Sequence, residues 1–172
     1  MAIYVVKLVD HTDSDETWLL GLGSKIQDLF NTCMEGSSHQ VKVVWGTGAV
    51  TDNLVLHFVN DVDHSYIQQK MPGEPLSESI AGHTRHRNGI AGTEFYKFVG
   101  PRGNRKQFPY INYAKIALHE SLHNLFPGWT AAELHGPAGG GGLASIKPEL
   151  PPTEKNKEMI QRGLSVRNPQ LL

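Results

Sequence analysis

The pattern of apolar and polar positions predicts several short strands along the first hundred residues. Three runs rich in β-branched and apolar residues predict strands at 3–9, 41–45 and 54–59. The segment 61–78 has no clean period and contains Pro72-Gly73, which predicts a loop. A further run at 92–99 predicts a fourth strand, at the edge of the sheet.

A first helix is predicted between Ser14 and Glu35, after the first strand. Its apolar stripe consists of Ile26, Leu29, Phe30 and Cys33. Gly21 and Gly23 weaken the early part of this segment, whereas Ser24 with Gln27 forms a capping-box pattern. The sequence therefore favours a helix start at Ser24 and an end at Gly36.

The strongest helical pattern in the chain covers residues 110–126. Its core-facing stripe consists of Ile111, Ala114, Leu118, Leu122 and Leu125. Pro127-Gly128 ends this helix.

The remaining quarter of the chain, residues 127–172, is rich in turn residues. Thr130 and Glu133 predict a short capped helical turn over 131–135, followed by a glycine-rich loop at 136–142. Pro151-Pro152-Thr153 precedes a last predicted helix over 154–162, closed by Gly163.

These elements predict an α+β fold, with a mixed sheet, a backing helix and a second long helix after the strands. The 172 residues suit one domain, 1–172, with an upper part of 1–126 and a small lower part of 127–172.

Charge and composition exclude several classes of function. A net charge of −1 argues against strong bulk attraction to nucleic acid or to an anionic membrane. No stretch approaches the ~20 apolar residues that span a bilayer, and the N-terminal residues do not resemble a signal peptide. The single cysteine, Cys33, suits a reducing compartment. We therefore expect a cytoplasmic monomer without a membrane segment.

The candidate chemistry lies on the helix at 110–126, in His119-Glu120-Ser121-Leu122-His123. This is an H-E-x-x-H motif, which on a helix places both imidazoles one turn apart on one face. Both can then bind one Zn²⁺ ion at about 2.0–2.1 Å. Glu120 lies close enough to serve as a general base without being forced to bind the metal.

A zinc site needs a third protein ligand, and several residues downstream are candidates. His135 is the preferred ligand, because it follows a Pro-Gly turn that lets the chain fold back. Glu133 is better explained as a capping partner. Three glutamates farther along the chain also lie at suitable distances in sequence, namely Glu149, Glu154 and Glu158.

The motif and the order of elements resemble the zincin metallopeptidases, and most closely their metzincin branch. The resemblance implies a mixed sheet, a backing helix, and an active-site helix followed by a sharp turn and a third histidine. It implies His119, His123 and His135 as zinc ligands and Glu120 as the general base. Phe126 and Trp129 stand where metzincins have a glycine and the third ligand, so the family relation implies an insertion here. Met159 is either the family's methionine beneath the metal or a core methionine.

Other polar residues carry weaker hypotheses. His83 and His86 lie in a predicted polar loop and could bind a second metal, although a solvated loop is the simpler interpretation. Residues 85–106 are locally basic, which suits a solvated surface or an acidic partner such as DNA. His57 is interpreted as a satisfied sheet residue and Cys33 as a buried thiol.

The sequence as a whole predicts a zinc-dependent peptidase that acts on a peptide or protein substrate, in which a metal-activated water attacks the peptide bond. The sequence also admits a zinc-dependent ribonuclease with three histidine ligands, or a non-catalytic metal-binding interaction module. An edge strand at 92–99 and the loop at 136–142 are the predicted walls of the cleft.

Overall fold

The computed structural model describes residues 1–48, 52–128, 152–166 and 171–172. The strands are β1 (Ile3–Asp10), β2 (Gln40–Trp45), β3 (Leu54–Val59), β4 (Gly82–Arg87) and β5 (Ile90–Tyr96). The helices are α1 (Glu16–Cys33), α2 (Tyr66–Lys70), α3 (Tyr110–Leu125) and α4 (Glu154–Ser165), with a 3-10 turn at Val62–His64.

The five strands form one mixed sheet in the order β2-β1-β3-β5-β4. The first four of these are mutually parallel, and β4 runs antiparallel to β5 at one edge. Asn88 and Gly89 join β4 to β5 and both have positive φ, as a two-residue hairpin turn requires. The predicted α+β class with a mixed sheet is confirmed.

The main core lies on one face of the sheet, where α1, α3 and α4 pack side by side. Its largest fully buried members include Phe30, Phe58, Phe95 and Tyr113. The opposite face is covered by the segment that contains α2, with a smaller apolar cluster around Val59, Val62 and Tyr96. Because β3 lies between β1 and β5, all six of its residues are buried. Within the described residues, no helix combines the length and apolar character needed to cross a bilayer.

The predicted start of α1 at Ser24 is wrong, because the helix begins at Glu16. Gly21 and Gly23 are helical because they permit close packing. A Cβ at Gly21 would lie 2.7 Å from the Tyr110 hydroxyl, and one at Gly23 would lie 2.7 Å from Nε1 of Trp45. The glycines that resemble helix breakers in the sequence are contact points for two aromatic side chains.

The segment between β3 and α3 holds more regular structure than the sequence predicts. The predicted loop at 61–78 contains the 3-10 turn and α2. The predicted polar loop around His83 and His86 is strand β4. The strand predicted at 92–99 is β5, shifted to 90–96, and β4 covers it, so it is not the edge strand.

The final helix begins as predicted, with Thr153 and Asn156 forming a reciprocal capping box. It continues past its predicted end, because Gly163 lies inside α4, where a Cβ would meet Leu125 at 3.0 Å. Met159 is buried within α4 and belongs to the main core, so it does not lie in a tight turn. The short turn at 131–135 and the glycine loop at 136–142 lie outside the described residues.

Candidate metal centre

Helix α3 positions the two histidines of the motif on one of its sides. The helix begins at Tyr110 and ends at Leu125, as the apolar stripe predicts. His119 and His123 are half-buried, whereas the leucines of the stripe and the sheet-facing side are buried. The Nε2 atoms of the two rings lie 3.2 Å apart.

This separation suits two ligands of a single zinc ion. Two nitrogens bound at about 2.0–2.1 Å to a tetrahedral ion stand roughly 3.3 Å apart. The observed 3.2 Å between the His119 and His123 nitrogens is close to that value. Helical spacing alone therefore brings the two rings into a geometry that one ion can bridge.

Glu120 lies beside the histidine pair but faces the sheet. It is only 7% exposed, and its Oε2 lies 3.7 Å from Nε2 of His119. Burial raises the pKa of Glu120 to about 8, a hydrogen bond from Thr84 opposes this rise, and the charge of Glu94 adds to it. The sequence predicts Glu120 as a general base beside a cleft, and in the structure its carboxylate is almost enclosed.

A chain of hydrogen bonds connects Glu120 to the two neighbouring strands. The Thr84 hydroxyl on β4 lies 3.0 Å from Oε1 of Glu120 and 3.0 Å from the Thr93 hydroxyl on β5. Asn124 donates through Nδ2 to Thr93 at 2.9 Å. Because Asn124 is four residues after Glu120, both side chains face the sheet from adjacent turns of α3.

Strand β4 contacts the motif at three alternate residues. Gly82 packs so closely that a Cβ there would lie 2.8 Å from Cγ of Glu120. Thr84 reaches the carboxylate, and His86 donates through Nε2 to the backbone carbonyl of His123 at 2.7 Å. That carbonyl belongs to the last turn of α3, whose carbonyls lack helical partners, so His86 caps the helix end.

Glu94 lies on the opposite face of the sheet and is fully buried. Its carboxylate accepts hydrogen bonds from the hydroxyls of Ser65 and Tyr96 and from the backbone N–H of Ile67. These three donors satisfy the carboxylate. Glu94 therefore anchors α2 to the sheet and acts on Glu120 only through its charge.

The third ligand is not settled within the described part of the chain. His135, Glu133 and Glu149 all lie outside it. Glu154 and Glu158 are exposed on α4, and Glu154 pairs with Lys157 at 3.4 Å. Across residues 1–48, 52–128, 152–166 and 171–172, no three His, Cys, Asp or Glu side chains are grouped as metal ligands. His135 stays the ligand that the sequence predicts.

The hypotheses on the remaining histidines and on the cysteine have clear outcomes. His83 and His86 lie on opposite sides of β4, because they are an odd number of residues apart in a strand. They do not form a second metal site together. His57 is a satisfied sheet residue, as predicted, with hydrogen bonds to His11 and to the Leu172 carbonyl. Cys33 is buried, and burial raises the pKa of its thiol to about 12.

Most of the basic residues between 85 and 106 have partners inside the protein. Arg102 and Arg105 bind the Asp63 carboxylate at 2.7 and 2.8 Å, and hydrogen bonding to Arg102 and then Arg105 lowers the pKa of Asp63. Arg85 binds the Gln68 side chain, and Lys97 donates to Ser14. These contacts favour the interpretation of a solvated, internally paired surface over a binding surface for DNA.

The sequence did not single out Gly82, Thr84, Thr93 and Asn124 as site residues. Two signals point to them. Asn88-Gly89 is a strong hairpin signal that predicts strands on both sides, and the i, i+4 spacing places Asn124 on the same face as Glu120. No model of a known protein family matches this chain, and no curated protein is significantly similar to it.

Proposed function

We propose that this protein is a zinc-dependent peptidase, with His119 and His123 as ligands and Glu120 as the general base. The observation that carries the proposal is the 3.2 Å separation of the two Nε2 atoms, with the Glu120 carboxylate 3.7 Å from one of them. His135 completes the ligand set in this proposal. The resemblance to zincins supports it through the motif and the order of elements.

A bound zinc ion supplies Lewis acidity, which polarises a carbonyl group and makes a neighbouring water more acidic. Glu120 receives the proton of that water at Oε2 as the water attacks the peptide carbonyl. It then returns the proton to the departing amine, which leaves as the C–N bond breaks. Glu120 acts as a base only in its ionised form; burial raises its pKa, and the positive charge of a zinc ion held by His119 and His123 would oppose that rise.

Strand β4 is the element that suits an extended substrate. It is the last strand on its side of the described sheet, and its inner face contacts the active-site helix. An extended peptide can add to such an edge through main-chain hydrogen bonds. We therefore assign to β4 the cleft-wall role that the sequence predicted for residues 92–99.

The test is to compare wild type, Glu120→Gln and Glu158→Gln on a library of internally quenched peptides, with zinc content measured for each. Glu158 is an exposed glutamate on α4 and serves as the matched control. We expect Glu120→Gln to retain zinc and to lose about 10²- to 10⁴-fold in kcat, while Glu158→Gln stays active. Full activity in zinc-loaded Glu120→Gln would contradict the general-base role.

A further inference from the structure

The hydrogen bonds around Thr84 have a definite direction. Thr84 has one hydroxyl proton and three neighbours, which are the Glu120 carbonyl oxygen at 3.1 Å, Glu120 Oε1 at 3.0 Å and the Thr93 hydroxyl at 3.0 Å. The carbonyl can only accept, and so can the carboxylate in the ionised form that a general base requires. Thr84 therefore donates to Glu120, and the bond between the two threonines must run the other way.

The remaining link agrees with this direction. The Thr93 oxygen accepts from Asn124 Nδ2, which leaves its own proton to donate to Thr84. The chain then runs from the Asn124 amide through Thr93 and Thr84 to Glu120, where the Thr84 proton is shared between Oε1 at 3.0 Å and the backbone carbonyl at 3.1 Å. Both Asn124 and Thr93 are fully buried, so water does not compete for these bonds.

The direction of the chain gives the two oxygens of Glu120 different environments. Oε1 is held by Thr84, whereas Oε2 faces the histidine pair, 3.7 Å from His119 Nε2. Gly82 leaves room for the Glu120 stem, since a Cβ there would lie 2.8 Å from Cγ. One strand thus fixes both the stem and one oxygen of the carboxylate.

We propose that Thr84 is a positioning residue, whose hydroxyl holds Oε1 of Glu120 so that Oε2 is presented to the attacking water. This inference rests on the proposed peptidase function. It makes the edge strand part of the catalytic apparatus, because the strand that offers its main chain to the substrate also orients the base. A bond of this kind is expected to affect turnover more than substrate binding.

The test compares Thr84→Val, which removes the hydroxyl at nearly constant shape, with Thr84→Ser, which keeps it. Thr32→Val is the matched control, because the Thr32 hydroxyl donates to a backbone carbonyl on the surface of α1. We expect Thr84→Val to keep zinc and KM and to lose about 10- to 100-fold in kcat. Thr84→Ser and Thr32→Val should stay within about threefold of wild type. Thr84→Ala replaces Thr84→Val if the latter does not fold.

A second readout does not depend on activity. In the zinc-free protein, the melting temperature is measured for Thr84→Val, Glu120→Ala and the double variant. If Thr84 binds the carboxylate, the two single changes in melting temperature will not add in the double variant. Additive changes would overturn the proposed contact.

The outcomes separate this inference from the proposed function. Unchanged kcat in Thr84→Val, with wild type active and Glu120→Gln inactive, would overturn only the role of Thr84. An equal loss in Thr84→Ser and Thr84→Val would also overturn it, because the hydroxyl would not matter. Absence of hydrolysis in wild type, with non-additive melting temperatures, would overturn the peptidase function and leave the bond a purely structural one.

Discussion

His57 makes the stability of this fold sensitive to acid. The residue lies in β3, is 4% exposed, and stacks on Tyr66 with ring centroids 4.3 Å apart. Its Nε2 donates to the Leu172 carbonyl at 2.7 Å, so its Nδ1 accepts from Nε2 of His11 at 2.8 Å. Protonation of Nδ1 would place two N–H groups face to face, or require His11 to move its proton from Nε2 to Nδ1. The neutral ring is therefore the form that the folded protein accommodates.

The size of the effect follows from the pKa of His57. Burial lowers this pKa from 6.5 to about 4, the hydrogen bond to Leu172 opposes the change, and His11 adds to it. Glu94 is the acidic residue that pairs with His57 across β3 and β5, and its carboxylate accepts hydrogen bonds from three other groups. At about 1.4 kcal/mol for each pH unit, the difference is roughly 3 kcal/mol. Small domains are stable by only about 5–15 kcal/mol, so this is a large fraction.

The sign follows from proton uptake. The unfolded chain binds a proton at residue 57 below pH 6.5, whereas the folded protein does so only near pH 4. The free energy of unfolding should therefore be constant above pH 6.5 and fall by roughly 3 kcal/mol between pH 6.5 and 4 from this residue alone. Burial also lowers the pKa of His11, which contributes a fall of the same sign.

The assay is urea denaturation, followed by tryptophan fluorescence between pH 4 and 7.5. His57→Gln keeps a donor for the Leu172 carbonyl and an acceptor for His11 but does not titrate. We expect the difference in unfolding free energy between wild type and this variant to change by about 3 kcal/mol across the window. His64→Gln, at an exposed site, is the control. A pH-independent difference for His57→Gln would show that His57 binds its proton equally well in the folded and unfolded states.

Three further predictions concern the site and the core. Gly82→Ala should lower both kcat and the melting temperature, because its Cβ would lie 2.9 Å from the Glu94 backbone oxygen; unchanged values would contradict this packing. His86→Ala should cost about 1 kcal/mol of stability in thermal or urea unfolding, because the hydrogen bond from His86 to the His123 carbonyl is lost. Cys33 should resist a thiol reagent at pH 8 until urea unfolds the protein, and rapid labelling of the native protein would show that the thiol is accessible.

The sequence predicts secondary structure best where the apolar periodicity agrees with the residues that end a helix. The bounds of α3 follow from its stripe and from Pro127, and the histidine pair follows from helical spacing alone. Strand β4 was missed because its residues are polar on both faces, so no apolar alternation reveals it. The residues on its inner face suit their contacts with α3, and the sequence of the strand alone does not reveal those contacts.

The hydrogen-bond network around Glu120 could not be predicted from the sequence either, for a related reason. Thr93 and Thr84 meet through strand pairing, and both reach α3 only after the sheet is assembled. Gly21 has a similar long-range cause, since it is small to accommodate Tyr110. Local propensity marks such residues as neutral or as breakers, whereas tertiary contacts decide their roles.

The most direct test of the central claim is the metal content of the purified protein. We would measure zinc by elemental analysis in wild type, His123→Ala, His135→Ala and the control His64→Ala, which changes an exposed histidine. We expect about one zinc per chain in wild type and in His64→Ala, and its loss in the other two variants. No zinc in wild type after reconstitution, or full retention in His123→Ala, would contradict a zinc centre on α3.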